Sequence, residues 1–166
     1  MDRLDDVLRE ATHLGHSLGL TDESATLVTR LRTELDAVRT RATTRPTVRT
    51  LLVIGSEGTS VAGADVFLND LLTIAGGTNA LPAGRTGYSS IDREALLATA
   101  PDVILQFMPG ATPAELNRAK AVWATLADAP AMKHARIVTI TEDWCLMPGA
   151  RVADLAKRMA DELHGR

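Results

Sequence analysis

Hydrophobic positions in the first third of the chain recur at helical spacing in two separate runs. The first run ends near Gly19, and the second extends to Pro46, a residue type that stops helices. Thr21 or Asp22 is suited to cap the second helix. This second run predicts a helix of about six turns with one apolar stripe, formed by Leu27, Val28, Leu31, Leu35 and Val38. A helix of this kind lies across a domain or bridges two lobes.

From residue 47 onward, strand-like runs alternate with helix-like runs. The predicted strands are 48–55, 102–108 and 135–141, and the predicted helices are 63–77, 91–100, 112–129 and 148–164. This alternation implies a mostly parallel sheet with helices on both faces. We therefore predict an α/β fold: a three-layer sandwich with a mostly parallel, Rossmann-like sheet, preceded by a long connecting helix.

Length, charge and cysteine content restrict the class of protein. The chain has 166 residues, which is the length of one domain. Its net charge is −3, and it lacks the basic patch of a nucleic-acid-binding protein. A single cysteine, Cys145, excludes a disulfide within the chain. No apolar run reaches the ~18 residues of a membrane helix, and the charged first twenty residues are unlike a signal peptide. We expect a cytoplasmic protein if Met1 is the true start, and otherwise a fragment whose export signal lies elsewhere.

No group of residues in the sequence predicts an enzyme or a metal site. The stretch GSEGTSVAG (55–63) follows a strand, but it lacks the phosphate-loop ending and the dinucleotide glycine spacing. It is either a flexible ligand-facing loop or a plain connection. His13 and His16 share a helix face without a third ligand nearby, and Cys145 and Met147 are more simply explained by loop packing. We expect no catalytic residue, no metal ligand and no cofactor.

Aromatic residues make up only 3% of the chain, so their positions are informative. Trp123 lies in the middle of a predicted helix and is expected in the core. Tyr88 and Trp144 lie in predicted loops, where they either stack on a planar ligand or cover the edge of the core. Glu94 lies at a predicted helix start, where a carboxylate is stabilised without any further role.

Several ordered motifs resemble the C-terminal lobe of class III periplasmic substrate-binding proteins of ABC importers. These receptors bind vitamin B12, haem or ferric siderophores. The motifs are AGGTN (75–79), Asp-Arg-Glu (92–94), PDVI (101–104) and PGARV (148–152). On this resemblance, residues 1–20 are a remnant helix of an N-terminal lobe, 21–46 the interdomain helix and 47–166 the C-terminal α/β lobe.

The resemblance implies a ligand held between two lobes, of which this chain contains one. A separate N-terminal lobe or a second copy, as in a homodimer, would supply the other wall of the cleft. Glu94 would dock onto the ABC permease, and the implied ligand-binding residues are Ser60, Val61, Tyr88, Asp143, Trp144 and Met147. A B12 receptor would have an aromatic residue at the position of Ser60 and Val61, and some would have arginine at the position of Met147. This sequence has neither, so it departs from the B12 pattern.

The ligand implied by the resemblance is a metal chelate delivered in the periplasm or at the cell surface. Apolar and aromatic walls with few charges favour cobalamin or another corrinoid. Haem needs an axial His or Tyr, for which Tyr88 is the candidate, and ferric siderophores need arginines, of which Arg85 is near the predicted cleft loops. The alternative is a stand-alone cytoplasmic α/β domain that acts as a homodimer or interaction module.

Overall fold

Two helices at the start of the chain pack closely on each other in the computed structural model, which describes residues 3–127, 129 and 132–165. Helix α1 spans Leu4–Ser17 and helix α2 spans Thr21–Ala42. A Cβ atom added to Gly15 would lie 2.2 Å from the Cβ of Ser24, so only glycine permits this approach. The long second helix is confirmed. Its predicted cap at Thr21 or Asp22 is wrong, because Leu20 is the N-cap residue and no side chain caps this end.

A mixed sheet with parallel central strands forms the middle layer. The strands are β1 Val48–Ile54, β2 Ser60–Ala62, β3 Gly77–Asn79, β4 Tyr88–Ser90, β5 Val103–Phe107 and β6 Arg136–Ile140. Their order is β4-β2-β1-β5-β6, and β3 pairs with the first half of β1. The pairs β1–β3, β1–β5 and β5–β6 are parallel, whereas β2 is antiparallel to both of its neighbours, β1 and β4. The predicted α/β fold with a mostly parallel sheet is confirmed, but β2, β3 and β4 were not predicted.

The remaining helices cover both faces of the sheet. They are α3 Phe67–Ile74, α4 Arg93–Thr99, α5 Pro113–Ala124 and α6 Val152–His164. Each predicted helix exists but is shorter than predicted; the α5 prediction also included residue 128, which lies outside the described residues. The start of α5 is as predicted, because Pro113 follows Thr112, whose hydroxyl oxygen accepts from the Glu115 backbone N–H.

Two apolar cores lie on the two sides of the sheet. The larger one joins the sheet to α1, α2, α3 and α6, and the smaller one joins it to α4 and α5. Trp123 is buried in the smaller core, as predicted. Its indole N–H donates to Oε1 of Gln106 at 3.0 Å, and Nε2 of Gln106 donates to the Gly55 carbonyl at 2.8 Å. This fully buried amide therefore links α5 to the end of β1.

Candidate ligand-binding platform

The carboxyl ends of β1, β5 and β6 meet at one edge of the sheet. Ser60 begins β2 at this edge, where it pairs with Ile54. Asp143, Trp144 and Met147 lie in the loop that follows β6. In open α/β sheets this edge is where ligands bind. We call this edge and its loops the platform; it includes Ser60, the loop 55–59 and the loop 141–151.

The loop 55–59 on the platform is anchored to the fold. The Gly55 N–H donates to the Phe107 carbonyl at 2.9 Å, and its own carbonyl accepts from Gln106. A Cβ atom at Gly58 would lie 3.2 Å from Cγ1 of Val122, so this loop packs on α5. These contacts join the loop to β5 and α5, and the loop connects two strands, β1 and β2; its ligand-facing role stays a prediction.

Val61 lies beneath the platform rather than on it. Residues 60–62 form a strand, which corrects the loop predicted there. The side chain of Val61 is fully buried in the smaller core, whereas Ser60 is partly exposed. The side chain of Val61 is therefore not available for direct contact with a ligand in this structure, and it supports the platform from below.

Tyr88 lies on β4, at the opposite end of the sheet from β6, and its side chain is 51% exposed. The segment before it is fastened to residues 63–65: the Gly63 N–H donates to the Gly87 carbonyl at 2.7 Å and the Ala64 N–H donates to the Arg85 carbonyl at 2.9 Å. The Gly87 N–H donates to the Asp65 carboxylate. These bonds fix the start of β4 and so the position of Tyr88.

The loop after β6 brings several predicted site residues together. Trp144 is half-buried against the larger core, and Met147 is 59% exposed. The guanidinium of Arg151 lies 5.5 Å from the centroid of the Trp144 ring, within cation–π range. Arg151 was not predicted as a site residue. Its place in the PGARV motif was the only signal, and its approach to Trp144 depends on the path of the loop.

The carboxylate of Asp143 lies beside the backbone of the loop after β5. A Cβ atom at Gly110 would lie 3.1 Å from Oδ1 of Asp143, and Gly110 has a positive φ of 63° that favours glycine. The Gly110 N–H donates to the Thr141 carbonyl at 3.0 Å. The platform therefore has an acidic side chain close to the backbone of the loop after β5.

Tyr88 lies apart from the platform. Strands β4 and β6 are at opposite ends of the order β4-β2-β1-β5-β6, and four inter-strand spacings of about 4.8 Å each separate these two strands by roughly 19 Å. Along the strands, Tyr88 pairs with Ala62, two residues beyond Ser60 at the platform edge. The structure therefore groups Asp143, Trp144 and Met147 and leaves Tyr88 apart from them on β4. A single ligand that contacts both Tyr88 and the Trp144 loop has to be large.

Metal-ligating side chains are scattered. Burial raises the pKa of the Cys145 thiol to about 11, with a further increase from the nearby Glu142 and Asp143 carboxylates. The raised pKa favours the protonated thiol at neutral pH. His13 and His16 are exposed on α1. Within residues 3–127, 129 and 132–165, no three His, Cys, Asp or Glu side chains are grouped to hold a metal ion.

Glu94 is an exposed residue in the first turn of α4. The cap of this helix is Asp92, whose carboxylate accepts from the Ala95 N–H at 2.7 Å. Asp92 therefore caps the start of α4, and Glu94 is not needed for this capping.

An apolar groove of about 540 Å³ runs between α1 and α2 and reaches the segment 148–150 that follows the Trp144 loop. Leu14 and Leu18 on its rim are 61% and 63% exposed, and Leu20 is also exposed. We call this the α1–α2 groove. Exposed apolar surface of this kind is typical of a binding or interaction face.

The open α/β sheet, with parallel central strands and helices on both faces, has the fold of a periplasmic binding protein lobe. The chain belongs to the periplasmic binding protein family, whose sequence model matches residues 2–144. This is a family of solute-binding proteins rather than enzymes, and its members are typically periplasmic or attached to the cell surface. None of the described helices is long and apolar enough to cross a membrane. No curated protein matches the chain significantly.

Solved structures share the fold over nearly the whole chain. An ABC transporter substrate-binding protein from Listeria monocytogenes EGD-e is 21% identical, with a TM-score of 0.80 over 99% of this chain and 66% of that one. The periplasmic heme-binding protein RhuT from Roseiflexus sp. RS-1 is 25% identical, with a TM-score of 0.73 over 98% and 65%. An ABC-type Fe3+-hydroxamate transport system from Saccharomonospora viridis DSM 43017 is 20% identical, with a TM-score of 0.78 over 99% and 57%. The chain therefore spans two thirds or less of these relatives' length.

Proposed function

We propose that this chain is the C-terminal lobe, with its connecting helix, of the substrate-binding component of an ABC importer. Family membership and the ligand-facing edge of the sheet support this proposal. Residues 1–20 would be the remnant helix of a first lobe, 21–46 the interdomain helix and 47–166 the lobe that carries ligand. The protein would act at the cell surface or in the periplasm, and it would bind and deliver its ligand without chemistry.

The proposed ligand is a large, planar metal chelate, and haem fits the platform best. The observation that carries this choice is the tryptophan–arginine pair on the platform together with the exposed tyrosine on β4, the strand at the other end of the sheet from β6. Tyr88 offers a phenol oxygen to iron, and Trp144 offers a ring for stacking. Arg151 offers a guanidinium to the carboxylates of haem. The corrinoid predicted from the sequence has no carboxylate of this kind to engage Arg151.

Titration of the purified chain with haemin, cyanocobalamin and a ferric hydroxamate tests this proposal. Binding is monitored by tryptophan fluorescence and, for haemin, by haem absorbance. Haemin is expected to bind saturably, and Tyr88→Phe is expected to weaken it about tenfold, a loss of about 1.4 kcal/mol. His13→Ala and His16→Ala are the controls, because exposed histidines also ligate haem iron. Haemin binding that depends on those histidines and not on Tyr88 would contradict the assignment.

The other two ligands decide between the remaining hypotheses. Saturable binding of cyanocobalamin alone would favour the corrinoid. Binding of the ferric hydroxamate alone would favour a siderophore. Failure of all three would mean either that the chain binds only together with its other lobe, or that it is the alternative stand-alone α/β domain that acts as a homodimer or interaction module.

We propose that Glu94 docks onto the ABC permease. It is exposed, and it is not required as the cap of α4. Glu94→Arg is expected to weaken binding to the permease in lipid nanodiscs about tenfold, because it replaces an attractive charge with a repulsive one. Glu34→Arg, at an exposed position on α2, is the charge-matched control. Equal losses in both variants would mean a general charge effect and would exclude a specific role of Glu94.

We propose that the α1–α2 groove is covered in the functional assembly by a first lobe or by a second copy of the chain. Without a first lobe, the chain is expected to self-associate in sedimentation, because Leu14 and Leu18 are exposed together. Leu18→Glu is expected to shift the chain toward monomer, whereas Ile137→Glu, at an exposed position on β6, is expected not to. A wild-type chain that stays monomeric at high concentration would exclude self-association.

A further inference from the structure

A second cavity, away from the platform, is lined by two arginine residues. It has a volume of about 390 Å³ and lies between α4 and the segment 80–85. Arg49, at the start of β1, and Arg85 line it, and no carboxylate is among its lining residues. The rest of its wall is mostly apolar: Leu81, Pro82, Ile91, Ala95 and Ala98. We call this the arginine cavity.

The guanidinium of Arg49 is held in a fixed position. Its Nε donates to the Thr99 carbonyl and its Nη2 to the Ala80 carbonyl, both at 2.9 Å. The backbone N–H of Arg49 donates to the Asp102 carboxylate at 3.1 Å. A guanidinium has five N–H donors, so two such bonds orient the group and leave donors for a ligand.

Arg85 provides a second positive charge, and its backbone is held in place by two hydrogen bonds. Its N–H donates to the Pro82 carbonyl at 3.3 Å, and its carbonyl accepts from the Ala64 N–H at 2.9 Å. Within the described part of the chain, the arginines that pair with carboxylates are Arg3, Arg9, Arg30, Arg39, Arg41, Arg118 and Arg158. Among the described residues, neither Arg49 nor Arg85 forms such an ion pair.

We propose that the arginine cavity binds a small organic anion, with a carboxylate on a short apolar body. Guanidinium groups bind carboxylates through two parallel hydrogen bonds, and the apolar wall accommodates the body of the molecule. The volume is at the small end of the range of about 300–1,000 Å³ for ligand pockets. Arg49 lies at the amino end of β1, whereas the platform lies at its carboxyl end, so this site is separate from the one for the chelate.

Hexanoate is the probe for this site, with uncharged hexan-1-ol as the matched control. In two-dimensional NMR of the full chain, hexanoate is expected to shift the amide signals of Ala95 and Ala98 saturably. Arg85→Gln and Arg49→Gln are each expected to raise the dissociation constant at least tenfold. Arg118→Gln removes an exposed arginine elsewhere, paired with Glu57, and is expected to leave the titration unchanged.

Arg85→Gln is the decisive variant, because the Arg85 side chain is exposed whereas Arg49 also bonds two backbone carbonyls. Equal binding of hexan-1-ol would overturn the proposal, since the cavity would then select for apolar bulk and not for charge. Hexanoate shifts that Arg85→Gln leaves unchanged would also overturn it. Absence of saturable shifts in the wild-type chain would overturn it as well.

Discussion

Replacement of Gln106 with leucine is expected to lower the free energy of unfolding by about 3 kcal/mol. Gln106 is fully buried on β5, where its amide bonds the Trp123 indole at 3.0 Å and the Gly55 carbonyl at 2.8 Å. Leucine is apolar and somewhat larger than glutamine, so the substitution leaves no cavity. The indole N–H and the carbonyl lose their partners, and each such buried group costs about 1–3 kcal/mol.

Urea unfolding of a double-mutant cycle measures this prediction. Trp123→Phe removes the indole N–H, so in that background Gln106→Leu is expected to cost less by about 1 kcal/mol. Ligand titration of Gln106→Leu checks that the platform remains intact, because Gly55 begins the loop 55–59. A cost below about 1 kcal/mol, or the same cost in both backgrounds, would show that water replaces the lost partners.

Replacement of Gly63 with alanine is expected to destabilise the fold by about 2 kcal/mol. A Cβ atom at this position would lie 2.6 Å from the carbonyl oxygen of Arg85 and 2.9 Å from its carbonyl carbon. These are backbone atoms, so the segment 85–87 has to move as a whole. That segment leads directly into Tyr88, and haemin binding is therefore expected to weaken together with stability.

Gly149→Ala is the matched control for this prediction. Gly149 lies close to the Trp144 loop, and an added Cβ atom there would meet nothing within 4 Å. Its effect on unfolding is expected to stay within about 0.5 kcal/mol. Thermal unfolding of both variants provides the comparison, and similar midpoints would contradict the steric argument for Gly63.

The long helices and the central parallel strands were predictable because their patterns are local and repetitive. The stripe of Leu31, Leu35 and Val38 is visible within one window of the sequence, and these residues are buried as that stripe requires. Strands β2 and β4 have three residues each, too few to show an alternating pattern. They exist because β2 pairs with β1 and then with β4, and such pairing between separate segments leaves no periodic signal.

The candidate site was predictable in its residue types but not in its arrangement. Tyr88 and Trp144 stood out because aromatic residues are rare in this chain. Their separation across the sheet follows from the strand order, which alternation alone does not specify. The burial of Val61 results from the pairing of β2, and the contact of Arg151 with Trp144 results from the turn before α6.

The error at the start of α2 has a similar origin. The Leu20 N–H donates to the Gly15 carbonyl at 2.7 Å, and the Ser24 N–H donates to the Leu20 carbonyl at 3.0 Å. Leu20 therefore ends one helical turn and begins the next. Thr21 is already helical, and its side chain is not in the capping position that the sequence favoured.

The close contact between Gly15 and Ser24 has a mechanical consequence. It joins α1 and α2 into one stiff unit, and the pair Arg41–Asp161, at 2.7 Å, ties the far end of α2 to α6. With 22 residues, α2 is a strut of roughly 33 Å. Both of its ends are held, so α2 resists tilting relative to the sheet. A first lobe or a second copy bound in the α1–α2 groove would therefore keep a nearly constant distance from the sheet. The cleft with ligand would then differ from the empty cleft by a small rotation of the lobes and not by a wide hinge opening.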